Sequence, residues 1–186
     1  MNFCNLLTIL RLLLTIFFVI TFFISSTWSS CLAFVIFAFA AFTDWLDGYL
    51  ARRYELCTNF GRLMDPLADK ILVASALICL IPIFPSWVVV IIIAREFLIT
   101  GLRLLAADQG IILSADGLGK QKTTWQLITI LFYLALLTAT DFIGVETPAI
   151  IFSWNIIGPV LIGITLIITI ISGASYVWRN RTLFCE

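Results

Sequence analysis

Apolar runs long enough to cross a lipid bilayer recur along almost the whole of this 186-residue chain. A helix rises 1.5 Å per residue, so about 20 predominantly apolar residues cross a hydrocarbon core about 30 Å thick. Such runs fall at about 12–26, 30–52, 61–81, 86–107, 123–140 and 147–178, after a short mixed juxtamembrane segment at 1–11. At 62% hydrophobic residues the chain lies well above the about 45–50% of soluble domains. These runs predict an all-α integral membrane protein with six transmembrane helices. No Gly/Ser/Pro-rich linker or long charged tract divides it, so residues 1–186 are expected to form a single domain. The first run lacks a small-x-small cleavage pattern and is followed by further spans, which favours a helix over a secretory leader.

Six spans place both termini on one side, and the charges indicate which. Arg11, Arg52, Arg53, Arg62, Lys70, Arg95, Arg103, Lys120, Lys122, Arg179 and Arg181 all fall on or toward the side of the termini, the 2–3 loop and the 4–5 loop. The opposite loops carry no Lys or Arg. By the positive-inside rule, both termini are then cytoplasmic in a cell inner (plasma) membrane. Trp28, Trp87 and Trp178 lie near span ends, as interfacial belts require.

Four acids interrupt this apolar pattern: Asp44 and Asp47 three residues apart, then Asp65 and Asp69 four apart. On helices each pair projects from one face, and the short polar segment between them lets the two faces meet. Carboxylates converging within a membrane repel one another unless cations lie between them. The chain has no His, and its cysteines (Cys4, Cys31, Cys57, Cys79, Cys185) lack ligand spacing, so oxygen donors and hard divalent metals are the natural pairing. Counted along the second span, the acids lie toward the cytoplasmic leaflet, where a lipid headgroup and a water-soluble substrate can meet. Gly48 and Gly61 leave room for close approach, and Arg52 offers a fork suited to phosphate. Solvated helix ends for the acids, and tight helix packing at Gly48, are the simpler alternatives. Zero net charge and scattered basic residues argue against a nucleic-acid partner.

Asp44-x₂-Asp47-Gly48-x₂-Ala51-Arg52-x₈-Gly61-x₃-Asp65-x₃-Asp69 matches, at all eight positions over 26 residues, the signature of the CDP-alcohol phosphotransferase family. The resemblance implies a six-helix membrane enzyme, usually a homodimer, in which an alcohol displaces CMP from a CDP-linked lipid. It implies that Asp44, Asp47, Asp65 and Asp69 bind two divalent ions, Mg²⁺ or Mn²⁺, with Asp69 as general base. It also implies that Gly48, Ala51, Arg52 and Gly61, with Asn5 and Thr8, contact the CDP-lipid.

Three further stretches resemble those family members whose acceptor is glycerol 3-phosphate: Asn5 to Arg11, Ala94-Arg95-Glu96 to Arg103, and Gly119-Lys120-Gln-Lys122-Thr-Thr124. Arg95 and Arg103, eight apart, lie close to one helical face, and Lys120 and Lys122 stand at the mouth of the fifth span. Together with Arg11 they supply the cations a phosphorylated alcohol needs. The expected partners are therefore CDP-diacylglycerol, glycerol 3-phosphate and membrane lipid. Simpler roles remain open for each: topological anchors for Lys120 and Lys122, pairing with Glu96 for Arg95, snorkelling for Arg11, helix caps for Asn5 and Thr8. Rival readings are a family member using another alcohol (cardiolipin or inositol-phosphate type), a divalent-cation transporter, and a purely structural membrane protein.

Overall fold

The computed structural model describes residues 3–24, 26, 28–54, 59–108, 117–144 and 147–180, with side chains at 3–5, 45–54, 59–66, 107–108, 118 and 120 outside the description. Six helical rods account for nearly all of it: α1 (Phe3–Phe23), α2 (Ser29–Tyr54), α3 (Asn59–Cys79), α4 (Ser86–Asp108), α5 (Gly117–Ile143) and α6 (Pro148–Arg179). No strand occurs among the described residues. Of these, Leu6–Phe23, Gln121–Ile143 and Pro148–Arg179 are long and apolar enough to cross a membrane, and Ser29–Asp44 is a shorter apolar stretch.

Two helix bounds and one internal turn differ from the sequence expectation in ways that matter. Within the segment 1–11, α1 is already helical from Phe3. Leu6, Leu7, Ile9 and Leu10 extend the apolar periodicity back past Arg11, so the charge interrupts a helix without ending it. Similarly, α5 begins at Gly117, so Lys122 sits inside the helix and not at its mouth. The last span is one rod but contains a π-helical turn at Ser153–Ile157. Pro159 has no N–H to give, and the Gly158 N–H reaches back to the Ser153 carbonyl, an i→i−5 bond.

Burial is inverted relative to a soluble bundle. On α1, Thr8, Arg11, Thr15 and Phe18 face inward, whereas Leu13, Ile16, Phe17 and Ile20 are 48–57% exposed at helical spacing. On α6, Thr165, Thr169, Ser172, Gly173 and Tyr176 are buried, while Val160, Ile167, Ile170 and Ile171 face out. An apolar exterior around a partly polar interior is stable where the surroundings are hydrocarbon. The buried hydroxyls are satisfied locally: Thr15 donates to the Arg11 carbonyl at 2.8 Å and Thr169 to that of Thr165 at 2.7 Å. Across α5 and α6 the Thr129 and Thr165 hydroxyls share a 2.8 Å hydrogen bond.

The main core joins the rods around Phe18, Phe37, Leu72, Leu80, Ile92 and Leu134, with the Phe18 and Phe37 rings 5.5 Å apart between α1 and α2. A second, smaller core of Ile99, Leu102 and Tyr176 ties α4 to α6. Contacts between helices give the chain direction. Arg11 meets Asp44 and Phe18 meets Phe37, so α1 and α2 are antiparallel. Arg95 meets Ser172, and Arg103 meets Tyr176 further along both helices, so α4 and α6 run in parallel. One end of the bundle thus gathers the described basic residues, and the other holds Asp141 and Trp28, the Trp28 ring edge-on against Phe142.

Beside the π turn, Tyr133 packs between Phe84 and Trp154, with ring centroids 4.9 and 5.7 Å away. A Cβ on Gly158 would overlap the Tyr133 hydroxyl and stand 2.8 Å from its Cζ. Gly158→Ala is expected to destabilise the protein by about 1–3 kcal/mol through overpacking. Thermal denaturation in detergent will show the loss, and Tyr133→Phe should restore part of it. An unchanged midpoint would mean that the ring has somewhere to go.

Candidate active site

The acidic stretch lies where α2 and α3 carry it into the charged end of the bundle. Asp44, Asp47, Gly48, Ala51 and Arg52 all fall on α2, and Gly61, Asp65 and Asp69 on α3. The side chains or surroundings of Asp47, Gly48, Ala51, Arg52, Gly61 and Asp65 lie outside the described residues, as do those of Asn5 and Lys120. The side chains of Asp44 and Asp69 are described. Asp69 is close enough to feel Asp44, Arg11, Lys122 and Lys70.

Arg11 is fully buried, and its Nη1 stands 2.8 Å from Asp44 Oδ1, while the Asp44 side chain is 39% exposed. A buried guanidinium needs a carboxylate partner, and the neighbouring helix α2 supplies one to Arg11 of α1. Among the cations assigned from sequence to the acceptor phosphate, Arg11 is therefore set apart: it braces an acid of the signature. Thr8, one turn earlier on the same face, is buried as well.

On the other side of Asp69 a cavity of about 450 Å³ opens between α3, α4 and α5. Its polar wall is formed by Asp69, Lys70, Glu96, Thr100, Lys122, Thr123 and Gln126, and the rest is apolar. Lys122 is buried and bonded to Glu96, which also accepts from Arg95 Nη1 at 3.3 Å. Glu96 thus joins two of the expected phosphate-binding cations. The pairing of Arg95 with Glu96, the simpler role left open for it by sequence, is present. Arg95 Nη2 further donates to the Ser172 hydroxyl at 2.7 Å, where Gly173 leaves room for its stem. Arg103 lies along α6 too, its Nε donating to the Tyr176 hydroxyl at 3.2 Å. Of the cations expected to bind the acceptor phosphate, Lys122 shares the cavity with Asp69 and Lys70, whereas Arg95 and Arg103 gather against α6.

Two participants were not singled out by sequence. Glu96 figured only as a possible mate for Arg95, and Gln126 not at all. The signal for Gln126 was present, since it is a polar residue four positions after Lys122 within an apolar helix. Among the described residues no group of three or more metal-ligating side chains converges. Of the four signature acids, Asp44 and Asp69 are the two whose side chains are described, and Asp44 contributes to the field at Asp69; carboxylate oxygens are the donor type that suits a hard divalent ion.

The profile of the CDP-alcohol phosphatidyltransferase family matches residues 1–171. The chain belongs to that family. It is 51% identical over 98 residues to the CDP-diacylglycerol–glycerol-3-phosphate 3-phosphatidyltransferase of Bacillus subtilis (strain 168), covering 52% of this chain and about half, 51%, of that protein. The protein of the same name from Escherichia coli (strain K12) is 42% identical over 139 residues, covering 72% of this chain and 76% of its own length. A namesake from Shigella flexneri serotype 5b (strain 8401) matches to the same extent.

Proposed function

We propose that this protein transfers the phosphatidyl group of CDP-diacylglycerol to the primary hydroxyl of glycerol 3-phosphate, giving phosphatidylglycerophosphate and CMP for phosphatidylglycerol and cardiolipin synthesis. The observation that carries this reading is the position of Asp69. The last acid of the family signature borders a cavity that also holds a buried lysine. A base beside an ammonium is what an alcohol bearing a phosphate calls for.

The hydroxyl oxygen of glycerol 3-phosphate bonds to the β-phosphorus as the bridging bond to CMP breaks, the electron pair leaving on the CMP phosphate. Asp69 takes the hydroxyl proton. Lys122 holds the acceptor's phosphate, and Glu96 keeps that ammonium from wandering. Arg95, Arg103 and Lys120 add positive potential, while Arg11 orients Asp44. Asn5, Thr8, Gly48, Ala51, Arg52 and Gly61 serve the CDP-lipid. Asp44, Asp47, Asp65 and Asp69 would hold two ions of Mg²⁺ or Mn²⁺. When bound, these neutralise the diphosphate that would otherwise repel the nucleophile.

The proposal includes six spans, both termini and the site on the cytoplasmic face of a plasma membrane, and a homodimeric assembly. Its support is the segregation of the described Lys and Arg residues to one end of the bundle. The test uses bacterial membrane vesicles containing the protein, CDP-diacylglycerol and radiolabelled alcohols. Inside-out vesicles should consume glycerol 3-phosphate in a divalent-dependent way, and sealed right-side-out vesicles should not. Consumption of another alcohol instead, or of none, would defeat the reading, and cross-linking of the same vesicles would reveal the dimer. Metal uptake abolished by Asp47→Ala would favour a transporter.

A further inference from the structure

The reaction as described leaves one buried polar group of the cavity without a task. Gln126 stands one helical turn beyond Lys122 on α5, so both side chains project from the same face. It is 2% exposed, it lines the cavity that Asp69 borders, and its Nε2 has no hydrogen-bond partner among the described residues. An unsatisfied buried amide is destabilising by itself, so an apolar side chain of similar shape would suit the free protein better. A donor held in that condition beside a cavity is suited to an oxygen that arrives with the ligand. Being neutral, an amide adds little to the hold on a phosphate, but it can donate to and accept from a hydroxyl at once.

We propose that Gln126 recognises the secondary hydroxyl of the acceptor and so selects glycerol 3-phosphate over phosphorylated alcohols that lack it. This rests on the cavity being the acceptor site. The acceptor's three carbons then meet three different groups. The reacting C1 hydroxyl is served by Asp69, the C3 phosphate by Lys122, and the C2 hydroxyl between them by Gln126. A site built to bond a substrate hydroxyl discriminates strongly against the analogue without it, because its own polar group is then stranded.

The test compares kcat/KM for glycerol 3-phosphate and for 3-hydroxypropyl phosphate, which lacks only the C2 hydroxyl, in the parent and in Gln126→Met. The parent should prefer glycerol 3-phosphate at least tenfold. In Gln126→Met that preference should fall roughly tenfold, through glycerol 3-phosphate alone, with KM for CDP-diacylglycerol unchanged. The thermal midpoint of the variant should equal or exceed the parent's, since an unsatisfied donor has been removed. Equal losses on both acceptors would place the amide on the phosphate and overturn the proposal, as would an unchanged preference. A lowered midpoint with the preference intact would mark Gln126 as a packing group. Should Gln126→Met not accumulate, Gln126→Asn, which withdraws the amide by one methylene, reads the same ratio. A parent that uses neither phosphate ester but turns over another alcohol would defeat the proposed function itself, an outcome distinct from these.

Discussion

Asp69→Asn is expected to lower kcat for phosphatidyl transfer by roughly 10²–10⁴-fold while leaving the fold intact, the range over which a positioned general base acts. The substitution keeps the shape of the side chain and removes its basicity. Asp69 feels the charges of Asp44 and Arg11, which pair with each other, and of Lys122 and Lys70, which line the same cavity as Asp69. In the proposed reaction it accepts the proton of an alcohol whose phosphate lies in the cavity that Asp69 and Lys122 both line. The thermal midpoint and the binding of CDP-lipid in divalent salt should be measured alongside. A variant that keeps more than a tenth of the parent's turnover would remove Asp69 from the base role and leave it at most a metal ligand.

Glu96→Leu should destabilise the protein by about 3–5 kcal/mol, the usual cost of stranding one partner of a buried ion pair. Glu96 is a single carboxylate answering to Lys122 from α5 and to Arg95 from its own helix, so its loss leaves both cations short of charge. The double variant Glu96→Leu with Lys122→Met should regain most of that stability, since two apolar side chains of similar volume replace the pair. If Lys122 binds the acceptor's phosphate as proposed, the KM for glycerol 3-phosphate should nevertheless stay at least tenfold above the parent's. Chemical denaturation and initial rates separate the two roles. If the double variant recovers both stability and KM, Lys122 is a structural partner of Glu96 and does not meet substrate.

Much of the fold was legible in the chain because membrane spans are written in linear runs. Each rod satisfies its own backbone hydrogen bonds, so length and hydropathy alone locate it. The errors came where a charged residue lies within a helix. Arg11 and Lys122 look like boundary markers in a hydropathy reading, yet both are buried inside rods, each bonded to an acid on another helix. The π turn of α6 has a local cause in Pro159, although the register change it introduces shows only in the backbone.

Sequence by itself determined the class of molecule, the positions of the four aspartates and the membership in a phosphatidyl-transferring family. Those follow from spacing along one chain. Which cation answers which acid was decided by tertiary packing: Arg11 for Asp44 across the α1–α2 contact, Lys122 for Glu96 across α4 and α5, Arg103 for Tyr176 across α4 and α6. In a low-dielectric interior the nearest opposite charge dominates, and nearness between residues 11 and 44, or 96 and 122, is a property of how rods lie together that no local pattern encodes.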